Sequence, residues 1–136
     1  MKQIFADTFY FLALMSDTDE AHAQASDFAA GLGTRLVTTA WVLTELADGL
    51  AQTGHRESFA GILNDLESDP GVDVLPPDDA LWRRGIALYN ARSDKGWSLT
   101  DCISFVVMKD YDIAEALTGD HHFQQAGFLA LLRSDD

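Results

Sequence analysis

The chain has 136 residues, which is long enough for one compact domain and too short for two, so we predict a single domain over residues 1–136. Hydrophobic residues make up 47% of the chain and charged residues 23%, a composition that excludes a mainly disordered protein. Nine Lys and Arg against 22 Asp and Glu give a formal net charge of −13. This charge excludes a nucleic-acid-binding protein that works through bulk positive charge.

Short strand-like segments recur along the chain. Each is apolar, often β-branched, and ends at a turn-forming or polar residue. The predicted strands cover residues 3–6, 36–39, 72–75, 113–117 and 128–132.

Helical segments alternate with these strands. In the third of them, Leu43, Leu46, Ala47 and Leu50 follow the spacing of one helical face. The predicted helices cover residues 9–15, 20–30, 41–52, 56–67, 79–93, 102–109 and 120–125. Alternating strands and helices require crossover connections, so we predict an α/β fold in which helices cover both faces of a mainly parallel sheet.

The cellular location is predicted from cysteine content and hydropathy. A single cysteine, Cys102, cannot form an internal disulfide, which favours a reducing compartment. The apolar stretch 9–15 is too short for a signal peptide and follows Asp7 instead of a basic region. No run reaches the ~20 apolar residues that cross a bilayer. We therefore expect a cytoplasmic protein that does not associate with membranes.

Four carboxylates lie near predicted strand-to-helix junctions: Asp7, Glu45, Asp101 and Asp120. If the strands are parallel, these junctions share one edge of the sheet, where α/β proteins bind ligands. Converging carboxylates repel one another unless a cation holds them. Hard oxygen ligands without His or Cys favour Mg²⁺ or Mn²⁺, which can activate a water for phosphodiester hydrolysis.

Each carboxylate also has a purely structural explanation. Asp7 and Asp120 could cap the helices that follow them, and Ser98 with Asp101 has the spacing of a capping box. Glu45 could be an ordinary solvated residue on the polar side of its helix. A capping role and a metal-binding role are compatible, because a helix N-terminus presents an anchored side chain.

The sequence motifs around these acids resemble those of a known family. The relevant stretches, in chain order, are Asp7-Thr8, the helical Glu45, Trp97-Ser98-Leu99-Thr100-Asp101-Cys102, Leu117-Thr118-Gly119-Asp120-His121-His122-Phe123 and Ala126-Gly127-Phe128. Together they resemble a PIN domain and, within that family, the VapC-type toxin ribonucleases. The motifs around Asp101 and Asp120 are the most specific part of the resemblance.

The resemblance implies a three-layer α/β/α domain with a metal-dependent endoribonuclease site. It implies that Asp7, Glu45, Asp101 and Asp120 hold Mg²⁺ or Mn²⁺ and that a metal-activated water attacks RNA phosphodiesters. Two hydroxyl residues then support the site, Thr8 and Thr118. It also implies a homodimer and an antitoxin protein whose segment covers the acidic groove.

Four cations precede Trp97 and have two possible roles: Arg83, Arg84, Arg92 and Lys95. They could meet an RNA backbone beside the acidic site. They could equally form a solvated helix face paired with nearby aspartates, namely Asp78, Asp79 or Asp94. Of the two histidines that follow Asp120, we expect one ring near the site and the other in solvent.

Three functions remain open at the level of sequence. The first is the toxin of a type II toxin–antitoxin pair, and the second is a housekeeping nuclease that processes RNA. The third is a non-catalytic module whose acidic cluster anchors a basic peptide. The acidic, lysine-poor composition is also typical of salt-adapted proteins, so net charge alone does not separate these functions.

Overall fold

The structure is a computed structural model that describes residues 2–16, 21–29 and 33–132. Its strands are β1 (Lys2–Ala6), β2 (Thr34–Thr39), β3 (Val72–Leu75), β4 (Glu115–Leu117) and β5 (Leu129–Ala130). They form one sheet in the order β3-β2-β1-β4-β5, and every pair of neighbours within the described residues is parallel. The predicted α/β fold is confirmed, with helices flanking the sheet in three layers.

The helices are α1 (Thr8–Met15), α2 (His22–Ala29), α3 (Ala40–Leu50), α4 (Ser58–Ser68), α5 (Asp79–Ala91), α6 (Leu99–Asp110) and α7 (His121–Gln125). Both ends of the helix predicted over residues 20–30 lie outside the described residues, and the described part of that range contains α2. Among the described residues, none of the helices is long and apolar enough to cross a membrane.

Helix α6 begins at Leu99, as the predicted capping box of Ser98 and Asp101 requires, because the side chain of Ser98 accepts a hydrogen bond from the backbone of Asp101. The apolar run predicted over residues 102–109 forms the interior of this helix. The last two strands are shorter than predicted. Strand β5 pairs with β4 at two positions only, Glu115 with Leu129 and Ala116 with Ala130, so the ladder ends early.

The central strand β1 places the first carboxylate at the edge of the sheet. Residues Ile4, Phe5 and Ala6 are buried, as expected for a strand with neighbours on both sides. The hydroxyl of Thr38 donates to the carbonyl oxygen of Ala6 at 2.8 Å and links the ends of β1 and β2. Asp7 therefore follows a strand whose end is held in place.

Helix α6 is the most buried helix among the described residues, and aromatic packing joins it to its neighbours. All residues from Asp101 to Met108 are buried. The Phe105 ring packs edge-on against Phe123 of α7 at 4.9 Å and against Trp97 at 5.0 Å between ring centroids. Such pairs stabilise beyond the area they bury, and here they fix α7 and the loop before α6 against one core helix.

Candidate active site

Asp7 is buried at the end of β1, with only 5% of its surface exposed. It occupies the position that caps α1, but its side chain makes no capping bond; instead Oδ2 accepts a hydrogen bond from Thr118 Oγ1 at 2.8 Å. Burial, together with the charges of Asp101 and Glu45, raises the pKa of Asp7 to about 7. Hydrogen bonds from Thr118 and the Thr8 backbone oppose this rise in pKa.

Glu45 lies on the exposed side of α3 and is tied to the start of α1. Its Oε1 accepts a hydrogen bond from Thr8 Oγ1 at 2.6 Å, and the same hydroxyl is 3.4 Å from the Val42 carbonyl oxygen. Helix α3 itself begins where Thr39 caps it by accepting from the Val42 backbone. Thr8, the residue directly after Asp7, therefore connects Glu45 to the end of the central strand.

Asp101 is buried in the first turn of α6 and completes the capping box with Ser98. Its Oδ2 accepts from the Ser98 backbone at 3.2 Å, so the predicted structural role is confirmed. The same oxygen lies 3.1 Å from Nδ1 of His122. Burial raises the pKa of Asp101, and the nearby charge of Asp120 acts in the same direction, while bonds from Ser98 and His122 lower it.

Asp120 caps α7 and is connected to Asp7 through a single hydroxyl group. Its Oδ1 accepts from the His122 backbone at 2.9 Å, which confirms the predicted cap. Its own backbone N–H donates to Thr118 Oγ1 at 3.0 Å, and that hydroxyl in turn donates to Asp7. Gly119 lies between Thr118 and Asp120 in the chain, and any Cβ at this position would approach the Phe9 ring to 2.5 Å. The chain can make this tight connection only with glycine.

The four carboxylates therefore meet at one edge of the sheet. The charges of Asp101 and Glu45 raise the pKa of Asp7, and the charge of Asp120 raises the pKa of Asp101. Burying like charges together is unfavourable unless protons or cations offset them. A set of oxygen donors with raised pKa values at the site centre fits a hard divalent cation such as Mg²⁺ or Mn²⁺.

The histidine pair divides as expected, one ring near the acids and one in solvent. His122 contacts Asp101 and lies 3.4 Å from Asp120, whereas His121 is largely exposed. Asp120, His121 and His122 also form a group whose ligand atoms lie within 4.8 Å of one another. The sequence indicated a ring near the site, but nothing in its spacing pointed to the contact with Asp101, which depends on how α7 packs on α6.

The four cations are engaged in surface ion pairs. Arg83 lies 3.5 Å from Asp79, Arg92 3.0 Å from Asp94 and Lys95 4.0 Å from Asp94. Arg84 instead makes two hydrogen bonds to Asp110 of α6. The predicted pairing with nearby aspartates therefore holds for three of the four cations, and Asp78 takes no part in these pairs.

One of these cations contacts the loop before α6. The guanidinium of Arg92 lies over the Trp97 ring, 5.1 Å from its centroid, and Trp97 Nε1 donates to Gln125 of α7 at 2.9 Å. Trp97 directly precedes Ser98, the cap of the helix that carries Asp101. Arg92 is therefore held against the buried aromatic residue that precedes this cap.

The structure is an α/β protein with a parallel sheet and with acids gathered at the carboxyl edge of that sheet. The sequence matches the PIN domain family over residues 4–129, and the chain belongs to this family. No curated protein matches the sequence.

Solved structures that are similar to this chain include that of a toxin. VapC20 of Mycobacterium tuberculosis, a sarcin-ricin loop cleaving toxin, is similar with a TM-score of 0.82 and 24% identity, over 93% of this chain and 96% of that one. VapBC2 from Rickettsia felis, bound to a DNA fragment from its promoter, is similar with a TM-score of 0.65 and 13% identity, over 94% of this chain and 96% of that one. FitAcB from Neisseria gonorrhoeae is similar with a TM-score of 0.61 and 18% identity, over 93% of this chain and 94% of that one.

Proposed function

We propose that this protein is a Mg²⁺- or Mn²⁺-dependent endoribonuclease and the toxin of a type II toxin–antitoxin pair. The observation that carries the proposal is the convergence of Asp7, Glu45, Asp101 and Asp120 at the carboxyl edge of a PIN-family sheet. The likeness to VapC20, itself an RNA-cleaving toxin, supports the choice of substrate and biological role.

Each acid has a distinct part in this function. Asp7 and Asp101 are buried, so they would hold a cation in a fixed position at the bottom of the site. Glu45 and Asp120 are more exposed and would complete the ligand set from its rim, directly or through water. Thr8 and Thr118 orient the acids by hydrogen bonds to Glu45 and Asp7. A divalent ion held there would supply positive charge and an activated water for hydrolysis.

RNA must approach a protein of net charge −13, so cations beside the site matter. We assign backbone binding to the four residues before Trp97, namely Arg83, Arg84, Arg92 and Lys95. Their aspartate partners lie on the surface, where ion pairs are weak and screened by salt. Phosphates can therefore replace those partners at little energetic cost.

The proposed protein partners are a second copy of the chain and a basic antitoxin. VapBC2 and FitAcB are similar to this chain in fold, and this likeness supports a bound partner here. A basic antitoxin segment would complement the acidic edge and compete with cations for the carboxylates. Growth arrest on expression, relieved by co-expression of such a partner, would separate a toxin from an RNA-processing enzyme.

The decisive experiment is digestion of a labelled RNA in Mn²⁺, Mg²⁺ or EDTA. We expect cleavage by the wild type with either metal, no cleavage in EDTA, and a loss of at least about 100-fold in Asp7→Asn and Asp101→Asn, because charge disappears with little change in volume. Asp65→Asn on exposed α4 makes the same chemical change away from the site and should retain full activity. Full activity in both site variants, or products in EDTA, would refute the proposal.

A further inference from the structure

The His122 side chain and backbone contact two different carboxylates of the site. Its ring nitrogen Nδ1 lies 3.1 Å from Asp101 Oδ2 and 3.4 Å from Asp120 Oδ1. Its backbone N–H donates to the same Asp120 oxygen at 2.9 Å. Asp101 lies in α6 and Asp120 is the cap of α7, so His122 joins acids carried by two helices.

The direction of these bonds determines which oxygens remain for a cation. We assign the proton on His122 to Nδ1, because an ionised carboxylate at Asp101 accepts hydrogen bonds and does not donate them. Oδ2 of Asp101 receives both this bond and that of the Ser98 backbone. The two donors fix the plane of the carboxylate and leave Oδ1 as the oxygen that can face a metal.

The His122 ring is itself held in place by its surroundings. It is about four-fifths buried and packs against the His121 ring at 4.4 Å between centroids. The next residue, Phe123, is fully buried against Phe105, which anchors α7 to α6. Nε2 faces the loop before α6, since a Cβ added at Gly96 would lie 3.8 Å away. The ring is therefore placed by the core.

From this geometry we propose that His122 is a positioning residue that orients Asp101 and Asp120 for divalent-cation binding. The inference rests on the proposed function, because it assigns His122 a part in the same site. It differs from direct ligation, since Nδ1 is used for the bond to Asp101. Partners of this kind contribute about 10- to 100-fold to metal affinity in other sites.

The test is calorimetric binding of Mn²⁺ and of Mg²⁺ to the protein without RNA. His122→Ala removes the donor, whereas His122→Asn keeps an amide N–H near the position of Nδ1. We expect His122→Ala to weaken both ions by about 10- to 100-fold and His122→Asn to recover most of that affinity. His55→Ala, an exposed histidine between α3 and α4, is the matched control and should bind both ions like the wild type.

Three results would overturn the inference. The first is unchanged affinity in His122→Ala, and the second is no binding of either ion by the wild type. The third is a loss of Mn²⁺ binding with Mg²⁺ binding intact, which would make His122 a nitrogen ligand, because Mg²⁺ strongly prefers oxygen. Circular dichroism of each variant ensures that folded proteins are compared.

A metal-free readout separates this inference from the proposed function. In EDTA, the nitrogen chemical shifts of His122 should report a proton on Nδ1, and Asp101→Asn should change them. If His122 behaves in this way and controls cation affinity, but the wild type cleaves no RNA, the positioning role stands and the nuclease proposal fails. If RNA is cleaved but His122→Ala binds both ions normally, the positioning role fails and the nuclease proposal stands.

Discussion

Helices α5 and α6 pack against each other, yet α6 carries a buried charged residue and α5 carries exposed ones. Helix α6 buries every residue from Asp101 to Met108, whereas α5 buries only Gly85. Asp101 is held by Ser98 and His122 in a dry setting, while the arginines of α5 are in surface ion pairs. A buried charge has one geometry and strong effects on its neighbours, and an exposed one has many geometries and weak effects.

The largest expected effect tests the buried side of this comparison through pH. The pKa of Asp7 is about 7 when folded and 3.8 as a model value, so the folded protein binds more protons between those values. Stability from this group is present below pH ~4 and is lost as pH rises toward 7. In EDTA, Asp7→Asn should match the wild type near pH 4 and exceed it by roughly 2 kcal/mol or more at pH 8, because one pKa unit is about 1.4 kcal/mol.

Chemical denaturation of both proteins at several pH values measures this difference. Asp110→Asn provides the contrast, because Arg84 lowers the pKa of Asp110 and its small contribution is lost as pH falls. A pH-independent difference between Asp7→Asn and the wild type would show that burial does not perturb this carboxyl group.

A second prediction concerns the contact between the two helices. A Cβ at Gly85 would overlap the Ile103 side chain of α6. We therefore expect Gly85→Ala to lower the free energy of unfolding by about 1–3 kcal/mol, as overpacking does in other cores. Gly61→Ala on α4 meets nothing within 4 Å and should be neutral or stabilising by up to about 1 kcal/mol.

Thermal and urea unfolding of the two glycine variants would measure this contrast. Equal stability of the two variants would mean that α5 can move away from α6 freely. The basic end of α5 would then not be held in a fixed position relative to the acidic site.

The smallest expected effect concerns the exposed cations. Replacing Arg92 and Lys95 together by Gln should change stability by less than about 0.5 kcal/mol, because both lie in surface pairs with Asp94. RNA cleavage should fall several-fold at low salt, with the difference shrinking at high salt. Lys2 and Arg56 replaced by Gln give the same change in net charge elsewhere. An equal fall in both double variants would exclude a local role in RNA binding.

The sequence predicted those features that depend on local pattern. Short β-branched segments and helical spacing were enough to place, in order, the five strands and seven helices of the described residues, and the junction rule placed Asp7 and Asp120 on one edge. Capping signals at Ser98 and Asp120 were also readable, because a cap and its acceptor are neighbours in sequence.

Features that depend on packing between distant segments could not be predicted. The order of strands, the bond between His122 and Asp101, and the pairing of Arg84 with Asp110 all join residues brought together only by folding. These long-range contacts determine the geometry of the site, whereas the local motifs indicate which residues belong to it.

The hydroxyl of Thr118 links Asp7 to Asp120, residues separated by most of the chain. A ribosome-bound fragment that ends before residue 118 contains Asp7, Glu45 and Asp101 but lacks the hydroxyl, the fourth acid and the histidine. Such a nascent chain cannot assemble the complete acidic cluster, however well its first three strands have formed. The complete acidic cluster therefore forms only after strand β4 and residues 118–122 have been synthesised.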